Sequence, residues 1–268
     1  MPGTAALNAG GFAGAFPLSC ASAGNCATGG FYEDSAGHFH GFLASQVHGR
    51  WHTAIEVPGP AGDGLGVSAV SCAPAGPCTA SGGYTDSAGH NQAYVVTQAH
   101  GGWGNATQVP GTAALNQGGR AAAYSLSCPS AGNCAAGGSY TDSAGHTQVF
   151  VASQVHGTWH NAEEVPGLAT LNTGSAGFHS GSLSCASAGN CTAGGSYKDS
   201  AGHTQAFLVS QVNGRWGKAK EFPGAATLNT GGLAGINSVS CASAGNCSAG
   251  GDYTDSSRHF QAFVVSQT

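Results

Sequence analysis

Apolar and polar residues alternate along this chain in short runs, which are clearest around residue 126. Tyr124, Leu126 and Cys128 alternate with serines at positions 125 and 127. A period of two residues indicates a β-strand with one buried face. Three similar runs follow, separated by turns rich in Gly, Asn and Asp, over residues 134–140, 147–155 and 159–165. The pattern predicts a unit of four strands, which we call a, b, c and d, and predicts no helix.

This unit recurs five times. Counted from the second Cys of each copy, a Tyr follows at +6, an Asp at +8, a His at +12 and an aromatic residue at +16. A Trp follows at +25 in four of the five copies, and no copy changes length between its first Cys and this Trp. A fixed period of about 50 residues indicates a repeat architecture. The expected repeats are 1–57, 58–109, 110–165, 166–222 and 223–268.

Tandem four-stranded antiparallel units of about 50 residues are typical of β-propellers. We therefore expect an all-β chain in which residues 1–268 form one five-bladed β-propeller. The last copy stops before its Trp, so the fifth blade should lack its outer strand d and the total should be nineteen strands. Phe263, Val264 and Val265 would then lie on an open edge, which we expect to fray or to pair with another chain.

The composition fits a folded protein that binds neither nucleic acid nor membrane. Gly accounts for 46 of 268 residues and charged residues for 7%, but 41% of residues are apolar and stand at fixed positions that can fill cores. The net charge of -5 and the seven Lys and Arg residues argue against a nucleic acid or an anionic membrane as partner. No apolar run is long enough to span a bilayer.

The ten cysteines form five C-x5-C pairs, a wider spacing than that of most zinc clusters. We expect five disulfides, each contributing roughly 2 kcal/mol. In each pair the first Cys should end strand a and the second should begin strand b. The pairs are Cys20 with Cys26, Cys72 with Cys78, Cys128 with Cys134, Cys185 with Cys191, and Cys241 with Cys247.

Disulfides imply an oxidising compartment, so we expect a secreted protein. Met1 directly precedes repeat sequence without a signal peptide, which we interpret as a processed or recombinant boundary.

The module S-[LV]-S-C-x5-C-x-A, here residues 125–136, resembles that of bacterial secreted repeat proteins built as β-propellers. Pro17 and Ala69 replace the first Ser in copies one and two. Residues 202–207 resemble the extracellular HAF repeat more weakly. Residues 153–159 resemble a degenerate Asp-box in which Val155 replaces the Asp. These resemblances imply secretion and a propeller, without implying a reaction.

Strand order predicts that the b–c turns and the d–a linkers share one rim. Each b–c turn carries a Tyr, an Asp and a His, so five similar clusters should ring this rim. An aromatic ring beside a carboxylate and an imidazole could stack on a sugar and bond its hydroxyls. The expected ligand-binding residues are Tyr32, Asp34, His38, Tyr84, Asp86, His90, Tyr140, Asp142, His146, Tyr197, Asp199, His203, Tyr253, Asp255 and His259.

Structural roles compete with binding at all these positions. An Asp in such a turn bonds its own turn amides, the His flanks a hairpin, and the Tyr is suited to a core. We interpret Trp51, Trp103, Trp159 and Trp216 as packing between outer strands. We interpret Phe42, Tyr94, Phe150, Phe207 and Phe263 as core. His48, His100 and His156 precede Gly in the c–d turn, and no metal or cofactor site is expected there or elsewhere.

Two functions are favoured, and a glycan-active hydrolase is a less favoured third. The first is multivalent carbohydrate binding, in which several weak sites gain by avidity. The second is a repeat scaffold, natural or idealised, without a small-molecule ligand. We expect no enzymatic activity, because no nucleophile elbow, HExxH or P-loop occurs and no asymmetric pair of titratable groups is evident.

Overall fold

The computed structural model describes residues 1–59, 64–99, 102–222 and 224–267. These residues form five antiparallel sheets, one for each repeat, and the all-β class is confirmed. Among them, no helix has the length and apolar character that crossing a bilayer requires.

The strands follow the order a-b-c-d in the first four sheets and a-b-c in the fifth. The first sheet contains β1 (Ala13–Ser22), β2 (Asn25–Glu33), β3 (Phe39–Val47), β4 (Arg50–Trp51) and β5 (Ile55–Glu56). The second contains β6 (Gly64–Cys72), β7 (Cys78–Thr85), β8 (Asn91–Ala99), β9 (Gly102–Trp103) and β10 (Thr107–Gln108). The third contains β11 (Ala121–Ser130), β12 (Asn133–Thr141), β13 (Thr147–Val155), β14 (Thr158–Trp159) and β15 (Glu163–Glu164).

The fourth sheet contains β16 (Gly177–Ser187), β17 (Asn190–Lys198), β18 (Thr204–Val212), β19 (Arg215–Trp216) and β20 (Lys220–Glu221). The fifth contains only β21 (Ala234–Ser243), β22 (Asn246–Thr254) and β23 (Phe260–Gln267). Among the described residues its outer strand d is missing, as predicted, and β23 is its edge. Edge pairing with another chain stays a prediction.

The described residues form 23 strands rather than the predicted nineteen. In the first four sheets, strand d is broken into two pieces of two residues, and both pieces pair with strand c. The prediction of no helix was also wrong in detail. In the described parts of the d–a linkers there are three one-turn helices: α1 (Thr4–Leu7), α2 (Thr112–Leu115) and α3 (Ala225–Leu228). They are too short to show a 3.6-residue apolar period, which explains why the sequence pattern missed them.

All five predicted disulfides are present, and no described cysteine is free. Each joins strand a to strand b of one sheet, and in sheets one, two, four and five the two cysteines face each other in the ladder. The bonds are Cys20–Cys26, Cys72–Cys78, Cys128–Cys134, Cys185–Cys191 and Cys241–Cys247.

The predicted strand ends at these disulfides were wrong in every sheet but the second. There, Cys72 ends β6 and Cys78 begins β7, as expected. Elsewhere strand a continues for two residues past its Cys, and strand b begins at the Asn before its Cys. The second residues of their strands are thus Cys26, Cys134, Cys191 and Cys247. The added Asn pairs with a Ser across the turn, whereas Pro77 of the second copy has no amide proton for such a bond.

The Gly pair of each strand b allows a close backbone approach, as predicted. A Cβ added at Gly138 would lie 2.1 Å from the carbonyl oxygen of Ala122 on strand a. A bulge in β11 lies opposite this point. Any side chain here would therefore push β11 and β12 apart.

The sheets stack in chain order through their inner strands: β1 contacts β6, β6 contacts β11, β11 contacts β16, and β16 contacts β21. The cores lie between neighbouring sheets, where Phe42, Tyr94, Phe150 and Phe207 are buried as expected. Phe263 of the fifth sheet is only half-buried. No contact of comparable extent joins the first and fifth sheets among the described residues. Closure into a five-bladed ring within one chain is therefore not observed.

Candidate functional site

Each b–c turn is held by its Asp side chain. In the third sheet, Asp142 Oδ1 accepts hydrogen bonds from the backbone amides of Ala144 and His146, both at 2.9 Å. The same pair of bonds recurs at Asp34, Asp86, Asp199 and Asp255. The five Asp residues are thus turn-forming residues, which was the structural role weighed for them above.

A series of side-chain hydrogen bonds connects this Asp to the next sheet. Gln148 donates Nε2–H to Asp142 Oδ2 at 3.2 Å, and its Oε1 accepts from Nδ2 of Asn172 at 2.9 Å. Asn172 belongs to the linker into the fourth sheet, so the b–c turns and d–a linkers share a rim as predicted. Equivalent chains join Asp86–Gln92–Asn116 and Asp199–Gln205–Asn229. These polar groups are occupied by structural bonds in three of the five copies.

The predicted tyrosine platforms are not formed. Tyr32, Tyr140 and Tyr197 are buried, and Tyr84 and Tyr253 are half-buried. The hydroxyl of Tyr140 donates to Glu164 Oε2 at 2.8 Å, and that of Tyr197 donates to Glu221. Burial, followed by the nearby Glu56, raises the pKa of Tyr32 to about 12. Tyr32, Tyr140 and Tyr197 are thus core side chains whose hydroxyls bond a Glu, and their faces are closed to a sugar.

The histidines at +12 remain on the surface. His38, His90, His146, His203 and His259 are about half-exposed or more, and each places Nδ1 3.5 to 3.9 Å from its Asp Oδ2. The backbone amide of His38, with the amide of Ala36 and the side chain of His40, lowers the pKa of Asp34 to about 2. Each turn therefore presents an ionised carboxylate beside an imidazole at neutral pH.

On the opposite rim, the histidines of the c–d turns have a conformational role. His48 and His156 have φ values of 48° and 49°, as does Asn213 at 49°. Each precedes a Gly that also has positive φ, which is the requirement of a type I′ turn. His and Asn tolerate this region better than most residues. His100 lies outside the described residues.

The first sheet departs from the others at the position of the bridging Gln. His40 stands there, with Nε2 3.2 Å from Asp34 Oδ2 and Nδ1 3.4 Å from Glu56 Oε1. Its ring stacks on Tyr32 with centroids 5.2 Å apart. The linker into the second sheet also lacks the Asn that bonds Gln elsewhere, since residues 58–64 replace the LNxG sequence. Two carboxylates therefore flank one imidazole in this sheet.

A phenylalanine patch adjoins the same turn. It consists of Phe12, Phe16, Phe31 and Phe39. The rings of Phe12, Phe31 and Phe39 lie within 5.5 to 6.2 Å of one another. Phe12 is 59% exposed and Phe16 75% exposed. The patch escaped prediction because the prediction relied on what the copies share. Differences between the copies would have indicated it, because only the first copy has Phe at both the position of Phe31 and that of Phe39.

No family model and no curated protein matches the chain. Among solved structures, it is similar to the Hadza microbial sialidase Hz136, with 13% identity and a TM-score of 0.53 over 93% of this chain and 55% of that one. The chain thus spans about half the length of that sialidase. A protein of unknown function from Dyadobacter fermentans has 11% identity and a TM-score of 0.52, covering 94% and 78%. A variant of the Aleuria aurantia lectin in complex with alpha-methyl-L-fucoside has 10% identity and a TM-score of 0.36, covering 92% and 90%.

The two likenesses with TM-scores above 0.5 show an all-β fold of the propeller type, and one of those two proteins is named a sialidase. They also correct one expectation. No enzymatic activity was expected from the sequence, but the similar fold of a sialidase is that of an enzyme. The expectation was wrong because it relied on the absence of motifs from other folds, which says nothing about a propeller whose site is assembled from several sheets.

Proposed function

We propose that this chain is an extracellular carbohydrate-binding protein of the propeller type, with its principal site on the first sheet. The observation that carries the proposal is the exposed phenylalanine patch next to the turn of Asp34 and His38. An exposed apolar patch rimmed by polar groups is characteristic of a ligand-binding surface.

The two halves of this site suit the two kinds of surface on a sugar. The C–H face of a pyranose is apolar and fits the rings of Phe12 and Phe39. The hydroxyls can donate to Asp34 Oδ2, which is held ionised, and can bond the His38 imidazole. A few placed polar groups beside an apolar wall are the general composition of small-ligand sites.

The other four turns support weaker sites of similar polarity. His90, His146, His203 and His259 each lie beside a partly exposed carboxylate, without an adjoining phenylalanine patch of this size. Repeated weak sites on one rim gain by avidity when a ligand presents several sugars. Five disulfides favour an oxidising, extracellular setting for such a ligand.

A glycan array followed by titration calorimetry tests the proposal. We expect binding of at least one glycan class, with loss of most affinity in Phe39→Ala. Phe260→Ala is the matched control, because Phe260 is exposed at the equivalent position of the fifth sheet, where Asp252 replaces Phe31. Released sugar should be assayed in the same samples to detect turnover. Silence across all glycans by a folded chain would overturn the proposal in favour of a ligand-free scaffold.

A further inference from the structure

We propose that Asp34, His38 and His40 form a binding site for a divalent transition-metal ion with the ligand preferences of zinc. Asp34 Oδ2, His38 Nδ1 and His40 Nε2 all lie within 4.8 Å of one another. Imidazole nitrogen and carboxylate oxygen are common ligands of zinc, and three protein ligands with an open position are the usual donor set of its non-structural sites. This proposal does not rest on carbohydrate binding, since the ion would compete with a sugar hydroxyl for Asp34 Oδ2 and His38 Nδ1.

The two distances from Asp34 to the histidines suit a tetrahedral ion. Zinc lies at about 2.0–2.2 Å from N and O ligands, so tetrahedral ligand atoms are about 3.4 Å apart. Asp34 Oδ2 lies 3.5 Å from His38 Nδ1 and 3.2 Å from His40 Nε2. The three side chains are partly exposed, so an ion can enter and a water can complete the coordination.

Glu56 supplies the support that metal-binding histidines usually have. His40 Nδ1 lies 3.4 Å from Glu56 Oε1, so with an ion bound at Nε2 the Nδ1–H can donate to this carboxylate. A carboxylate on the far nitrogen fixes the ring and increases its basicity as a ligand. Tyr32 stacks on the other side of this ring and limits its rotation further.

The other four sheets provide an internal comparison. They keep the Asp and the His at +12 but have Gln92, Gln148, Gln205 and Gln261 where the first sheet has His40. A Gln amide nitrogen donates to the Asp and has no lone pair to offer an ion. Among the described residues, a group of three metal-binding side chains occurs only on the first sheet.

Titration calorimetry of the sugar-free chain with zinc chloride tests the site, supported by the visible absorption of a cobalt(II) complex. We expect one ion per chain, loss of this binding in His40→Gln, and about 10–100-fold weaker binding in Glu56→Gln. Gln148→His rebuilds the arrangement on the third sheet, where Glu164 matches Glu56 in register, and should add a second ion. Equal zinc binding by the wild type and His40→Gln would overturn the proposal, whatever the outcome with glycans.

A second inference comes from the stacking of the sheets. At each of the four junctions, the amide of the first Cys of one sheet donates to a Ser hydroxyl of the sheet before it. The pairs are Cys72 with Ser19, Cys128 with Ser71, Cys185 with Ser127, and Cys241 with Ser184, at 2.9 to 3.1 Å. Ser240 on the fifth sheet has the same position and is exposed. The junction is therefore a repeated interface with a missing fifth instance.

Apolar residues that are buried at the internal junctions are exposed on the first and fifth sheets. Leu18 on β1 is 62% exposed, whereas the equivalent Val70, Leu126, Leu183 and Val239 are 5 to 9% exposed. Val264 on β23 is 86% exposed, whereas the equivalent Leu43, Val95 and Val151 are at most 2% exposed and Leu208 is half-buried. One face of the first sheet and one face of the fifth thus carry apolar residues that are exposed, although their equivalents are buried between sheets.

The disulfides at the two ends differ in cover as well. Cys247 on the fifth sheet is buried, and its Sγ accepts a hydrogen bond from the hydroxyl of Thr192 on the sheet before it, at 3.2 Å. Cys26 is its equivalent on the first sheet and is only half-buried, and its partner Cys20 is exposed. The first disulfide therefore lacks the cover that a preceding sheet gives the last one.

Polar partners are also left over at both ends. Asn116, Asn172 and Asn229 each donate to a Gln of the sheet before them. Among the described residues the equivalent Asn8 donates no such bond, while its buried Oδ1 lacks a partner as those of Asn116 and Asn229 do. Gln261 bonds Asp255 as its counterparts bond theirs, but its Oε1 accepts from no described Asn. The fifth sheet of one molecule therefore offers the Gln acceptor that Asn8 in the first sheet of another molecule lacks.

We infer that the fifth sheet of one protein molecule packs on the first sheet of a second molecule. This contact continues the internal stack of sheets from head to tail. The four internal junctions supply the template for this interface, so the occupant is the chain's own first sheet. A head-to-tail contact uses two different surfaces and yields either closed rings or open filaments.

Sedimentation velocity over a range of concentrations tests this association. We expect oligomers for the wild type and monomers for Leu18→Arg and for Val264→Arg. Val155→Arg is the matched control, since Val155 is exposed on β13 away from both faces. Mixing the two blocked variants should give a 1:1 dimer, because each retains the face that the other lacks. A wild-type monomer at all concentrations, or a mixture that stays monomeric, would overturn the inference.

Discussion

The first and third sheets share one backbone plan but differ in what their side chains do. In the third sheet, Asp142, Gln148 and Asn172 bond one another, so that the polar rim ties two sheets together. In the first sheet, His40 replaces the Gln, and its partners are two carboxylates. The comparison teaches that residues repeated in every copy mainly build this fold. The chemistry that a ligand could use lies where one copy departs from the rest.

The largest expected difference between these sheets is in their packing. Leu126→Ala should lower the free energy of unfolding by about 2–4 kcal/mol, because it leaves a cavity between the second and third sheets. Leu18→Ala should change it by no more than about 0.5 kcal/mol, because Leu18 is largely exposed. Urea unfolding at low protein concentration measures both. Equal losses in the two variants would mean that the first sheet is covered even in the isolated chain.

The next difference lies in the linker asparagines. Asn172→Ala removes a donor from Gln148 Oε1 and from the carbonyl oxygen of Thr147. Leaving these buried acceptors without a partner should cost about 1–3 kcal/mol. Asn8→Ala should have a much smaller effect on the isolated chain, because no preceding sheet receives its amide. A comparable loss at Asn8 would show that its amide has a structural partner within the isolated chain.

Acid should unfold the chain in part by protonating the turn carboxylates. The pKa of Asp34 is lowered to about 2 and that of Asp142 is also lowered, against about 3.9 in an unfolded chain. A lowered folded pKa adds stability above the unfolded value, and this stability is lost as the pH falls from about 4 toward 2. Unfolding measured from pH 6 to pH 2 should show this decline, and Asp142→Asn should flatten it.

The two sheets should also differ in how they tolerate that substitution. In Asp142→Asn, the new amide either faces the Gln148 donor or leaves the turn amides without an acceptor, and both arrangements destabilise the turn. In Asp34→Asn, the amide can donate to His40 Nε2, so the loss at pH 7 should be smaller. Thermal unfolding at pH 7 compares the two variants. A larger loss at Asp34 would show that its charge stabilises the first sheet.

Period and spacing predicted much of the fold. The predicted strand c of copy three coincides with β13, the five disulfides are present, and the missing outer strand of the last copy is confirmed. Whether the sheets close into a ring was not predictable, because similar repeats stack in the same way whether or not the first and last sheets meet. The site was harder still. Repetition drew attention to Tyr140, which is buried, and away from Phe39 and His40, which occur in that arrangement only once.

The smallest expected change in stability comes from a turn position at which the fifth sheet differs from the other four. Arg258 has φ 62° at a turn position where the other copies have Gly with φ between 82° and 86°. A non-glycine residue in this region costs about 1–2 kcal/mol, while Gly loses more entropy on folding, so Arg258→Gly should stabilise the chain by about 0.5–1 kcal/mol. The matched reverse change is Gly145→Ala. A Cβ there meets nothing within 4 Å, so its cost is conformational alone. If Arg258→Gly is neutral while Gly145→Ala destabilises, the turn of the fifth sheet is already frayed, and thermal unfolding of the two variants decides this.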